Sequence, residues 1–308
     1  MQKKLRSFLG GAAVAAVLIL PAAASSDWIS WPAKSFSADA IRVQDTVGKL
    51  TVNVRNGGPV TVEVAGAKER VNGVSVREED GKVVIDGSGG EGDESVWNWR
   101  NWFNFSGDFE TDGDDLAIKV TVPKGTRVEV NDLVGDATIG DTQGELHFEA
   151  DATKARIGRV GPANVSLNGA GRVDIAQVNG PLHLEVAGSG KATIGPTQSV
   201  HAEIAGSGDA EFGAIAGDLT LSIAGSGDVT AASVNGPTKV DIAGSGSVKI
   251  ADGTADPLHL DIMGAGNFVF GGVAVDPHID AVGSGSVKLK SYRGHLDNEG
   301  MADVKIGQ

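Results

Sequence analysis

The chain has no cysteine, a shortage of positive charge and only one long apolar run, and each lack removes a class of protein. With Cys 0 in 308 residues there is no disulfide framework, although small exported domains often rely on one. Stability must come from packing and backbone hydrogen bonds. A lipid anchor at a cleavage site has no acceptor thiol either. Lys and Arg number 26 against 40 Asp and Glu, a net charge of -14. Such a surface argues against nucleic acid, whose phosphates are held by Lys and Arg. It argues weakly against anionic lipid, and it permits divalent cations or basic partners. Solubility alone also accounts for it. After the first residues, no apolar stretch approaches the ~20 residues needed to span a bilayer, so no transmembrane segment is expected in the mature chain.

The one apolar run lies at the start. Lys3, Lys4 and Arg6 form a basic head, Phe8 to Leu20 are apolar, Pro21 breaks the run, and Ala22, Ala23 and Ala24 supply small residues. That is the layout of a secretory signal peptide. Residues 1–24 are expected to be removed, and 25–308 to act in the periplasm, on the outer surface or outside the cell.

Glycine is what the chain has in excess: 45 of 308 residues, about twice the usual share of roughly 7%. It is periodic. Triplets start at Gly169, Gly188, Gly206, Gly225, Gly244, Gly264 and Gly283, with steps of 19, 18, 19, 19, 20 and 19. A fixed period near twenty marks a repeat architecture. Two residues before each triplet stand Leu167, Val186, Ile204, Ile223, Ile242, Ile262 and Ala281. Three further columns, at four before, four after and six after, are also apolar, and the positions between them are mostly polar. Alternation with period two is the pattern of a strand with one buried face. Each repeat therefore reads as strand, glycine corner, strand, and a shorter closing segment. Coils stacked about 4.8 Å apart bring backbone onto backbone at the corner, where only glycine takes the conformation without penalty. The corner residues are Gly188 and Gly190, Gly206 and Gly208, Gly225 and Gly227, Gly244 and Gly246, Gly264 and Gly266, and Gly283 and Gly285. Pro162, Pro181, Pro237 and Pro257 fall seven residues before their glycines, as turn signals at strand starts.

The reading is all-β: a single right-handed parallel β-helix of about 19 residues per coil over 25–308. Regular coils are expected over 131–308 and irregular first coils over 36–130; a separate β-sandwich is the alternative for that first part. Residues 87–115 form an insert. There Trp97, Trp99, Trp102, Phe103 and Phe105 cluster among glycines and acids. Trp and Arg are enriched in binding hot spots, so an exposed partner contact is one expectation. The other, and more economical, is that the segment covers an open end or side of the solenoid, because bare sheet edges aggregate. Asp108, Glu110, Asp112, Asp114 and Asp115 match no calcium loop.

Searching for chemistry yields ladders rather than a site. His183, His201, His259 and His278 stand five before the glycine, and an acid column of Glu185, Glu203, Asp241, Asp261 and Asp280 stands two residues further on. Imidazole and carboxylate side by side suit Zn²⁺, but Thr220 and Lys239 interrupt the histidines, and a solvated strand face is the simpler account. Ser189, Ser207, Ser226, Ser245 and Ser284 recur at the corner with no base at fixed spacing. The triplets are not dinucleotide fingerprints, which need a third glycine five residues after the first. No catalytic residue, cofactor or metal is assigned.

Asp80-Gly81-Lys82-Val83-Val84-Ile85, the strand Leu116 to Val122 ending at Pro123, and coils such as Ala224 to Val229 carry a resemblance. Together with the strands that follow Phe36, they are similar to the head GIN domain family of auto-transporter adhesins and related envelope families. The resemblance implies a right-handed parallel β-helix without catalytic residues. The expected function is a non-catalytic envelope or secreted protein binding a cell-surface protein or polysaccharide. A carbohydrate-active β-helix enzyme and a structural or stress-linked periplasmic module are the alternatives.

Overall fold

The structure, a computed structural model, describes residues 28–88, 116–300 and 303–307. It is a β-solenoid of about nine turns. The strands before each triplet pair in parallel from coil to coil: Val165 with Leu184, Leu184 with Ala202, Leu221 with Val240, and Leu260 with Ile279. Gly188, Gly206, Gly225, Gly244, Gly264 and Gly283 lie in one register row. All four apolar columns face inward and are buried. This is the physical reason for the repeat: one coil cannot pair both edges of its strands, and neighbours above and below supply the missing pairs.

Two inward columns add to the four. Ala163, Leu182, Val200, Leu219 and Leu258 point into the core from the start of the first strand. Val160, Val178, Ile215 and Val234 do so from a short third strand that closes the coil. The closing segment is thus a third side of the coil. Pro181 opens its strand as expected. Pro237 instead lies within Asp228–Gly244, where the register shifts between Gly236 and Thr238; a residue without an N–H is tolerated at such an irregularity.

The two glycines of a corner are required for different reasons. Gly225 has φ 136°, and a Cβ on it would overlap the Gly206 carbonyl oxygen one coil away. Gly227 has an ordinary φ, but its Cβ would meet the Gly208 carbonyl and the Ile204 side chain. Between them the Ser226 N–H donates to Gly206 O at 2.8 Å, and Ser207, Ser245 and Ser284 donate likewise. Their side chains are exposed. The serine column is therefore a backbone donor row.

The amino-terminal part joins the same sheet in an order that differs from chain order. β1 (Trp28–Ser30) and β2 (Lys34–Phe36) pair antiparallel with β4 (Val60–Ala67). β3 (Ala40–Arg55) is a full corner with both its strands. After β4 come α1 (Lys68–Asn72), β5 (Ser75–Glu79), β6 (Lys82–Asp86) and β7 (Leu116–Pro123). β6 and β7 stack on one side of β3. β8 (Arg127–Ile139) stacks on the other and passes the ladder to β9 (Leu146–Val160). β4 and β5 flank β7 and β6 antiparallel. Together with Val71 and Val74 they close this end of the core, which includes Val60, Val62 and Val64.

The early corners are built differently. Asp45 and Asp132 take φ 48° and 53°, and Gly48 and Gly135 take φ 146° and 123° three residues later. The repeated texts Asp45-Thr46-Val47-Gly48 and Asp132-Leu133-Val134-Gly135 are one corner in two copies, in register. Asp is among the few residues besides Gly that tolerate a left-handed backbone.

Candidate functional site

Because strands alternate, the residues between the buried columns all emerge on the outer faces, and stacking turns each into a ladder. On the first-strand face one ladder runs His147, Asn164, His183, His201, Thr220, Lys239, His259, His278, Asp297. Beside it run Glu149, Ser166, Glu185, Glu203, Ser222, Asp241, Asp261, Asp280 and Glu299. A third, nearest the corner, is apolar: Ala187, Ala205, Ala224, Ala243, Met263 and Val282.

The histidines are brought together in pairs. The rings of His183 and His201 stack with centroids 5.0 Å apart and planes 10° from parallel. His259 and His278 meet edge to face at 6.0 Å. His201 Nε2 lies 3.2 Å from Glu203 Oε1, and His278 Nδ1 lies 3.0 Å from Asp297 Oδ2. Each pairing is along or across a ladder. Among the described residues no three His, Asp or Glu converge in a way that could hold a metal ion. A shallow depression around His183 and His201 is floored by Leu182 and Val200 and edged by Pro162 and Pro181.

The acid ladder is electrostatically unbalanced at its carboxy-terminal half. Lys239 Nζ lies 3.1 Å from Asp241 Oδ2. The Asp261 carboxyl is held above the ordinary carboxylate range, first by partial burial, then by a hydrogen bond with Asp241 and the charges of Asp241 and Asp280. Like charges directly opposite on neighbouring strands are destabilising. Met263 and Val282 are register partners beside these acids, 72% and 53% exposed.

The bend after the second strand is concave and forms a trough along the stack from Thr138 to Ala251. Its floor carries small residues such as Gly158, Ala176, Gly195 and Gly213. A Cβ on Gly195 would overlap the Ala176 carbonyl, so coil spacing alone demands the glycine. Arg156, Asp174, Glu211 and Lys249 stand on the trough wall with Thr193 and Thr230 between them, and Arg156 and Asp174 are register partners on neighbouring strands.

Trp97, Trp99, Trp102, Phe103 and Phe105 lie outside the described residues, as do the acids from Asp108 to Asp115. The flanks of that segment are placed. Asp86 pairs with Gln44, and Leu116 with Gly48. The segment therefore departs and returns at the corner of the outermost coil, where β3 turns through Asp45-Thr46-Val47. Sequence reasoning did not find this; the signal was that Gly87 and Leu116 bracket the place a corner should occupy.

The fold and its faces define a class: a parallel solenoid repeat protein that presents side chains as ladders on flat sides. More narrowly, the chain belongs to the family described as "Putative auto-transporter adhesin, head GIN domain", whose model matches residues 39–214. Comparison with curated proteins gives no match. Among solved structures the chain is similar to a putative adhesin of Parabacteroides distasonis ATCC 8503, at 16% identity and TM-score 0.42, covering 91% of this chain and 96% of that one. It is similar also to a putative lipid binding protein of the same organism, at 15% identity and TM-score 0.42, covering 92% and 98%. A putative adhesin from Parabacteroides merdae ATCC 43184 matches at 11% identity and TM-score 0.40, covering 92% and 97%.

Proposed function

We propose that this chain is an exported, non-enzymatic binding module of the cell envelope, which holds a protein or polysaccharide of another surface against the sides of its solenoid. The observation that carries the reading is membership of an adhesin head-domain family together with side chains arrayed in ladders. A ladder suits repeated weak contacts along a partner. Catalysis asks instead for a few groups converging within hydrogen-bond reach of one reacting atom. The basic head and apolar run of residues 1–24 support export.

The test is fractionation of cells that make the full chain, followed by a screen of the purified processed protein against envelope polysaccharides and surface proteins. The expected outcome is recovery outside the cytoplasm, and retention of a surface component that is recovered chemically unchanged. Recovery in the cytoplasm would sink the export part. Shortened or unsaturated glycan products would replace the binding reading with the enzyme one.

A further inference from the structure

The same three coils carry charges of opposite sign on two different sides. On the first-strand side Asp241, Asp261 and Asp280 stack in successive coils. On the second-strand side of the same coils stand Lys249, Val269 and Lys288. Asp241 has Lys239, but Asp261 and Asp280 have no cation within 4 Å, and Lys249 and Lys288 no anion, among the described residues. The glycine corner separates the two sides, so these charges cannot neutralise each other within one chain.

Their spacing matches by construction. Asp241 and Asp280 are two coils apart, and so are Lys249 and Lys288. At about 4.8 Å per coil both intervals are close to 10 Å. The acid side also exposes Met263 and Val282, an apolar strip that a partner would cover. A second acid face would repel it. A face with lysines at the same pitch would not, and this chain carries one.

We infer that the acid side of these coils docks onto the lysine side of a second copy of this chain, with the two solenoid axes parallel. The contact is heterologous: each copy offers one side and keeps the other free. Such contacts continue into open rows unless a rotation closes them. The net charge of -14 opposes crowding, but at about 0.1 M salt charges are screened over ~10 Å, so opposed ladders in contact outweigh charges elsewhere on the molecule.

Sedimentation velocity of the processed chain, residues 25–308, reads this directly. The expected result is concentration-dependent association in about 0.1 M salt that weakens about tenfold or more near 1 M, where screening falls to ~3 Å. Asp261→Lys with Asp280→Lys, and separately Lys249→Glu with Lys288→Glu, each give a monomer. Mixing the two variants restores association, because each now carries the complement of the other. The milder Asp261→Asn with Asp280→Asn weakens association while relieving repulsion within the ladder, so loss of fold does not explain its effect. A wild-type chain that stays monomeric at all concentrations overturns the inference, even if its acid side captures a basic peptide such as oligolysine. So does association that survives either charge reversal.

Discussion

At the scale of single residues the corner decides most. Gly225 combines a backbone angle that a side chain resists with a carbonyl where its Cβ would stand. Gly225→Val is expected to cost about 3 kcal/mol or more, the range of forced backbone strain and steric overlap. Ser226→Ala keeps the N–H that matters and loses only an exposed hydroxyl, so its effect should stay within about 0.5 kcal/mol. Urea denaturation of the two variants checks the contrast, and equal losses would mean that the stacked bend is not the strained element. This residue-level logic was legible in the sequence because glycine was the one residue able to satisfy it and recurred at a fixed step. The earlier corners were not legible. Asp45 and Asp132 accept a left-handed backbone themselves, so no triplet marks them, and two copies are too few to stand out as a period.

At the scale of elements, three strands from distant parts of the chain are tied by one carboxylate. Glu129 on β8 accepts from Arg42 Nε at 2.8 Å on β3 and from Lys82 Nζ at 2.7 Å on β6. Burial alone would raise its pKa; the hydrogen bonds and charges of Lys82 and Arg42 prevail and hold the carboxyl below its ordinary range. A depressed carboxylate stabilises the fold above its unfolded pKa, and that contribution is lost as pH falls through the folded value. Glu129→Gln is therefore expected to lose about 1.5–3 kcal/mol at neutral pH, the range for hydrogen bonds to charged groups. The difference from wild type should shrink as pH drops below the ordinary carboxylate range. Melting curves from pH 7 to pH 3 measure it, and a gap that persists at low pH would point to packing instead. The order β6, β3, β8 could not be read from the sequence, since a period gives the spacing of coils and not the side of β3 on which each stacks. The third strand was missed because its column, Val160, Val178, Ile215 and Val234, is broken by Thr197 and Gly253. α1 was missed because five residues with one buried side chain, Val71, make no periodicity. The aromatic segment belongs to this scale too. Its flanks sit on β3 four residues apart, at Gln44 and Gly48. Replacing residues 87–115 with a corner copied from Asp45-Thr46-Val47 should leave circular dichroism and cooperative unfolding unchanged. Attachment to a surface partner should persist if the ladders carry it, as proposed, and loss of attachment would transfer the role to the segment from Trp97 to Phe105.

For the whole molecule, the repeat makes an unusual demand on deletions. Each strand pairs only with the coils next to it, so stability is close to a sum over neighbours. Removing Ser226–Gly244, one full period, joins Gly225 to Ser245 and sets every column back in register. Val248 then stacks on Ala210, and Ile262 on Ile223, with the inward faces still apolar. The shortened chain should fold with the same strand signature and a modestly lower melting temperature. Removing only Ser226–Val234 takes away the second side of a coil and part of its third. It offsets the following triplets from Gly206 and Gly225 and breaks the corner row, and the coils beyond should lose cooperative folding. Limited proteolysis separates the two cases: resistance along the whole solenoid for the full-period deletion, and cleavage after the junction for the partial one. Comparable resistance in both would mean that the coils fold as independent hairpins and not as a stack, a result incompatible with the parallel pairing that joins Gly188 to Gly283.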